Sequence, residues 1–225
     1  MSRITFALAK GRLATKTLEI LEKINIKPLD LTDDSRKLLF NSSDDKFSFF
    51  LAKPSDVPTY VDYGVADIGI AGLDTILEEG RDLYECLDLG IGKCKMCIAA
   101  FPEKKDLILG NEWIKVATKY PNIANKYFES KNRKVEIIKL NGSVELGPIV
   151  GLSDCIVDIV ESGRTLKENG LTVLEEICDL SARVIVNKVS IKTKYEEISK
   201  ILKGMETALG RISRSPKGTY ENLQQ

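Results

Sequence analysis

The sequence predicts an α/β protein. Apolar runs of strand length recur along the whole chain, helical patterns fall between many of them, and turns rich in Gly, Pro, Asn, Asp and Ser mark the joins. The 225 residues allow one or two domains. A chain of this length can bury roughly 70% of its unfolded surface. Hydrophobic residues make up 43% and charged residues 29%, the profile of a globular rather than a disordered chain.

Ile4 to Ala9 reads as a first strand, broken by Lys10-Gly11-Arg12. A helical pattern follows, with Leu13, Leu18, Leu21 and Ile24 near one face. Lys37 to Asn41 and Phe47 to Ala52 read as strands joined by the turn residues Asn41 to Asp45. Pro54-Ser55-Asp56 opens a short helix ending near Gly64. Ala66 to Ala71 is predicted as strand, Asp74 to Glu79 as a helix stopped by Gly80, and Tyr84 to Leu89 as strand. Cys94 to Phe101, Trp113 to Thr118 and Val135 to Leu140 continue the strands, with Ile123 to Phe128 on a helix and a short helix after Asn141-Gly142-Ser143. Cys155 to Val160 is strand, Thr165 to Asn169 helix, and Thr172 to Cys178 and Arg183 to Lys188 strands. Glu196 to Leu209 is a helix with Ile198, Ile201, Leu202 and Met205 on its apolar face. The polar tail from Gly210 is expected to be poorly ordered. Gly90 to Gly92 suits a crossover into a second domain, with a return near Ser181. The expected domains are thus 1–91 plus 181–225, and 92–180.

Composition narrows the chemistry. Thirty-three basic residues balance thirty-three acidic ones, which argues against a nucleic-acid platform. No apolar run approaches a membrane span, and Met1 to Lys10 is too short and too soon charged for a signal peptide. The five cysteines then read as reduced thiols of a cytoplasmic protein. Cys94 and Cys97 have CxxC spacing, but on a strand they face opposite sides, so core packing is preferred to a metal or redox pair. Histidine is absent, which excludes Ser-His and Cys-His mechanisms and histidine-ligated metals.

The strongest chemical signal runs from Asp154 to Thr165. Asp154 and Asp158 share a face at period two, and carboxylates near a strand's carboxyl end can accept hydrogen bonds from a ribose diol. Ser162-Gly163-Arg164-Thr165 leads into a helix, where Gly163 admits backbone amides close to a phosphate and the hydroxyls add donors. The same residues could instead cap the helix, since Thr165 and Glu168 have capping-box spacing. Lys10-Gly11-Arg12 is a second strand-to-helix junction, with two cations suited to a phosphate or to a solvated turn. In Asp67 to Asp74, Gly72 permits close packing or close ligand approach, and Asp74 suits either an N-cap or a ligand acceptor.

Together Ala9 to Leu13, Asp67 to Asp74, Gly142-Ser143-Val144-Glu145 and Asp154 to Thr165 resemble the ATP phosphoribosyltransferases of histidine biosynthesis, and the likeness runs from Ile4 to about Leu209. Gly147 stands where that family's Glu-x-Ala-Pro stretch has alanine. The resemblance implies two α/β domains similar to type II periplasmic binding proteins, with the active site in the cleft between domains. It implies that ATP and phosphoribosyl pyrophosphate (PRPP) condense to N1-(5-phosphoribosyl)-ATP and pyrophosphate. It places PRPP on Asp154, Asp158, Ser162, Gly163, Arg164 and Thr165, and the nucleotide and phosphates near Lys10, Gly11, Arg12, Gly72 and Asp74. Asp154 and Asp158 would stabilise the reacting sugar, and Glu145 is a candidate for assisting proton loss from the adenine. Mg²⁺ would arrive bound to substrate rather than in a protein cage. Only a short polar tail follows Leu209, so the chain is expected to be the family's short form, working in a hetero-oligomer with a regulatory subunit similar to histidyl-tRNA synthetase and pairing as catalytic-subunit dimers. The competing readings are a nucleobase-salvage phosphoribosyltransferase and a non-enzymatic solute- or effector-binding domain of the same fold.

Overall fold

The computed structural model describes residues 3–31 and 37–210. The tail expected to be poorly ordered lies outside the described residues beyond Gly210. The contacts divide the chain into two compact units, one from the described parts of 1–76, 80–91 and 182–225, the other from 77–79 and 92–181.

In chain order the elements begin with β1 (Ile4–Ala9), α1 (Arg12–Glu22), β2 (Leu39–Asn41), β3 (Phe47–Ala52), α2 (Val57–Asp62), β4 (Ile68–Gly72), α3 (Leu73–Glu79) and β5 (Tyr84–Asp88). Then come β6 (Cys94–Ala100), α4 (Lys105–Leu109), β7 (Ile114–Thr118), α5 (Pro121–Ser130), β8 (Val135–Lys139), α6 (Leu146–Ile149), β9 (Cys155–Val160), α7 (Arg164–Glu168) and β10 (Thr172–Leu180). The chain closes with β11 (Ala182–Val186), α8 (Ser190–Thr193) and α9 (Tyr195–Ala208).

The first unit is built on a six-stranded sheet of order β2-β3-β1-β4-β11-β5. Its centre, β3-β1-β4, is parallel, so the carboxyl ends of these three strands share one edge. The returning β11 runs antiparallel to both β4 and β5. Phe6 and Phe49, neighbours in register on β1 and β3, stack at 5.1 Å and are fully buried. The helical face read for α9 is the buried one: Ile198, Ile201, Leu202 and Met205 all enter the core. On α1 the stripe is shifted. Ala14, Thr17, Ile20 and Leu21 are buried, while Leu13, Leu18 and Ile24 flank it. Two of the four buried residues are too small or too polar to stand out in a hydrophobic pattern. Leu89 N–H donates to Ala182 C=O and Ala182 N–H to Ile91 C=O, tying the outgoing chain to the returning one.

The second unit has a five-stranded sheet of order β10-β6-β9-β7-β8. Strands β9, β7 and β8 are parallel, and β6 is antiparallel to both β9 and β10. β9 pairs with β6 as far as Val160, but with β7 only as far as Val157. Its last three residues therefore lack a strand on the β7 side. All five cysteines are free thiols, and Cys97 is buried on β6, where burial raises its pKa to about 11. Among the described residues, no helix is long and apolar enough to cross a membrane.

Candidate functional site

The end of β9 that lacks a β7 partner opens onto a cavity of about 280 Å³. Glu145, Asp158, Ser162, Gly163, Arg164 and Thr165 are among its lining residues, so six of the residues read from sequence stand around one space. The local fold explains the convergence. Ile156, Asp158 and Val160 share a face of β9 by the period of two. Ile156 packs with Ala117, Val144, Leu166 and Leu171, and Val160 and Leu140 join them. That small core grips the loop carrying Glu145 through Val144 and the loop carrying Thr165 through Leu166.

The Ser162 to Thr165 loop does not form the capping box that Thr165 and Glu168 would make. Gly163, at φ 69°, is the N-cap of α7 and has no side chain to cap with, while Ser162 Oγ accepts from Arg164 N–H at a long 3.4 Å. This left-handed conformation is open to glycine at little cost. Glu168, the expected far member of a capping box, instead accepts from Arg164 Nε at 2.9 Å in an exposed (i, i+4) pair. Ser162 and Thr165 are exposed. Because α7 has only five residues, any anion held there would rely on local amides and hydroxyls more than on a helix dipole.

Asp154 is not part of this cluster. It shares a face of β9 with Asp158 but sits before the strand's first residue, four residues and about 13 Å away along an extended chain. Its Oδ1 accepts from Lys104 Nζ at 2.7 Å and its Oδ2 from Lys115 N–H at 2.9 Å, while its own N–H donates to Lys115 C=O. Burial pushes its carboxyl up, but the Lys104 ammonium, the Lys115 amide and the charges of both lysines outweigh this and hold it below the ordinary 3.8. The structure does not bring Asp154 to the cavity, and its partners are those of a structural clasp.

In the first unit, the parallel strands bring two other expected segments to one edge. Lys10, Gly11 and Arg12 follow β1, and Gly72 and Asp74 lie at the end of β4 and the start of α3. Lys10 N–H donates to Ala52 C=O, which places Lys53, a cation not singled out from sequence, beside Lys10 on the same edge. Only the position of Lys53 after a parallel strand and before Pro54 could have flagged it. Gly11 adopts φ 106°, a conformation that favours glycine. It caps α1 without any side-chain bond, and the first turn of α1 has no acidic residue. A Cβ on Gly72 would overlap Asp74 Oδ1, so glycine lets this carboxylate fold over the strand end. Gly72, not Asp74, is the N-cap of α3, and Asp74 lies in the first turn.

Asp67 opens the same motif at the other end of β4. It is buried and accepts from Thr5 N–H at 2.8 Å, Ser190 Oγ at 2.6 Å and Lys194 Nζ at 2.8 Å. Gly147 is a buried residue of α6. A Cβ there would stand 2.7 Å from Ser153 Oγ and 2.9 Å from Ala117 Cβ, so in this chain the alanine of related sequences would need its neighbours to move.

Residues 53–207 match the model of the family described as HisG: ATP phosphoribosyltransferase. A protein of Lachnoclostridium phytofermentans named ATP phosphoribosyltransferase is 62% identical over 211 residues, spanning 93% of this chain and 98% of its own length. Its namesake in Ruminiclostridium cellulolyticum is 57% identical over 210 residues, with coverage of 93% and 98%. Among solved structures, a chain of the ATP phosphoribosyl transferase (HisG:HisZ) complex of Thermotoga maritima superimposes with a TM-score of 0.79 at 37% identity, covering 93% of this chain and all of that one. The BvgS VFT2 domain of Bordetella pertussis matches at a TM-score of 0.57 and 10% identity over 98% of this chain and 89% of that one. This last likeness is one of fold, and it joins the two-sheet α/β architecture to that of periplasmic-binding-protein-like domains.

Proposed function

The chain belongs to the ATP phosphoribosyltransferase family, and on that premise we propose that Asp158, Ser162, Gly163, Arg164 and Thr165 hold the ribose and 5-phosphate of PRPP. The enzyme joins ATP to PRPP, giving N1-(5-phosphoribosyl)-ATP and pyrophosphate, the first step of histidine biosynthesis. Neither nucleobase salvage nor solute binding is favoured by relatives of this name. The observation that carries the site reading is the cavity at the open end of β9, where a carboxylate, two hydroxyl side chains and a glycine loop converge.

The chemistry suits these residues. A bond forms between adenine N1 and C1 of the ribose as the bond from C1 to the pyrophosphate oxygen breaks. Positive charge builds on the sugar, and no protein nucleophile is needed. Asp158 orients the ribose hydroxyls and stabilises that charge, so catalysis is chiefly positioning and electrostatics. Glu145, which also lines the cavity, would assist loss of the adenine proton. Lys10, Gly11, Arg12, Gly72 and Asp74 would serve the nucleotide and its phosphates from the first sheet's carboxyl edge. Mg²⁺ keeps much of its water and binds through one or two carboxylates plus substrate phosphates, which fits a site offering Glu145 and Asp158. Bound with PRPP, it would neutralise the departing pyrophosphate.

The partner is a separate regulatory subunit of the HisZ kind, resembling histidyl-tRNA synthetase and assembled with this chain in a hetero-oligomer. The solved HisG:HisZ complex supports it. The test is direct: the purified chain, alone and with such a subunit, is incubated with ATP, PRPP and Mg²⁺. A product dependent on both substrates is expected under at least one condition. Absence of product under both would overturn the assignment.

A further inference from the structure

We propose that Thr118 is a positioning residue of the phosphoribosyl site, setting the place of Asp158 through the backbone of β9. The inference rests on the reading of the β9 cavity given above. Thr118 is the last residue of β7 and is completely buried. Its hydroxyl donates to Val157 C=O at 2.6 Å and accepts from Tyr120 N–H at 2.9 Å. Its own C=O accepts from Leu140 N–H at 2.9 Å, where the chain leaves β8. One residue thus ties the carboxyl ends of β7 and β8 to the middle of β9, just before Asp158.

The location matters more than the number of bonds. Thr118 faces Val157 in the last register pair between β7 and β9. The next residue of β9 is Asp158, and from there the strand lacks a partner on this side. Here β7 must leave the sheet, because Pro121 starts α5 three residues later. A departing strand would strand one carbonyl and one amide in a buried place. The Thr118 hydroxyl satisfies both, so the ladder can stop at Val157 without an unpaired group. The opening beside Asp158 and the fixed position of its backbone then have one cause. A valine has the same shape but neither donates nor accepts, so both bonds made by the Thr118 hydroxyl would be lost.

The experiment compares Thr118→Val, Thr118→Ser and Thr118→Cys with wild type and Asp158→Asn, varying ATP and PRPP separately, well below each variant's melting temperature. The expected result for T118V is a fall of about tenfold or more in kcat/KM for PRPP. KM for ATP should stay within about twofold of wild type. T118S, which restores the hydroxyl, should recover most of the loss. A merely structural role would lower the melting temperature of T118V and leave the folded enzyme's kinetics for PRPP unchanged, and that result overturns the proposal. If T118V does not fold, T118C carries the test, because a thiol is a weak donor on a smaller side chain. It should lose several-fold in kcat/KM for PRPP, and wild-type kinetics in a folded T118C would equally overturn the proposal. An inactive wild type would instead count against the assigned reaction, and an unimpaired Asp158→Asn against the site's location, so the three failures are distinguishable.

Discussion

Asp154, just before β9, and Asp158, within it, share a face by the period of two, in different surroundings. At the amino end, Asp154 is enclosed by Lys104 and the Lys115 amide, its acceptors used by the protein itself. At the carboxyl end, Asp158 borders a cavity it shares with two hydroxyl side chains and a glycine loop. The first sheet repeats the contrast. Asp67, at the amino end of β4, is buried among Thr5, Ser190 and Lys194, while Asp74, past its carboxyl end, lies on the edge that carries Lys10 and Arg12. In both sheets the amino ends carry these charge pairs, and the residues proposed to meet ligands lie toward the carboxyl ends, in keeping with the rule for open α/β sheets.

The contrast can be broken at either end. The largest effect should come from Asp158→Asn, with turnover lower by about 10²-fold or more, the scale of losing one transition-state contact. Its melting temperature should stay near wild type, as measured by thermal unfolding. Asp67→Ala should cost stability instead, about 3 kcal/mol, because it leaves Lys194 without its buried partner. Asp154→Asn should cost about 2 kcal/mol, the range of hydrogen bonds to a charged group, with turnover little changed. Its cost has a pH signature. The folded-state pKa of Asp154 lies below its ordinary 3.8, so the carboxylate's contribution is present above that value and is lost as pH falls through the lowered one. The difference in stability between wild type and D154N should therefore shrink in acid. The smallest effect expected is from Lys10→Ala, a rise of several-fold in KM for at least one substrate, the scale of one surface cation near a phosphate.

Much of this was legible in the sequence because strand limits coincide with breakers. Phe47 to Ala52 and Cys155 to Val160 begin and end where the apolar runs do. The short helix Lys105–Leu109 was not, because its few residues carry no clear apolar period. The period of two correctly put Asp154 and Asp158 on one face. It carries no information about which end of a strand a ligand approaches, so it could not tell Asp154 from Asp158. Thr118 was invisible for a different reason: its bond to Val157 joins positions 39 apart, and nothing local marks it. Asp67 was read with the glycines that follow it, although its partners Ser190 and Lys194 lie more than a hundred residues away.

The central claim is that catalysis resides at the carboxyl end of β9 and structure at its amino end. Turnover and thermal unfolding of Asp158→Asn and Asp154→Asn, measured side by side with ATP, PRPP and Mg²⁺, test it most directly. The expected result is a turnover loss of about 10²-fold with unchanged melting for D158N, and near-normal turnover with melting lowered by about 5 °C for D154N. The reverse pattern, an inactive but stable D154N beside an active D158N, would contradict it.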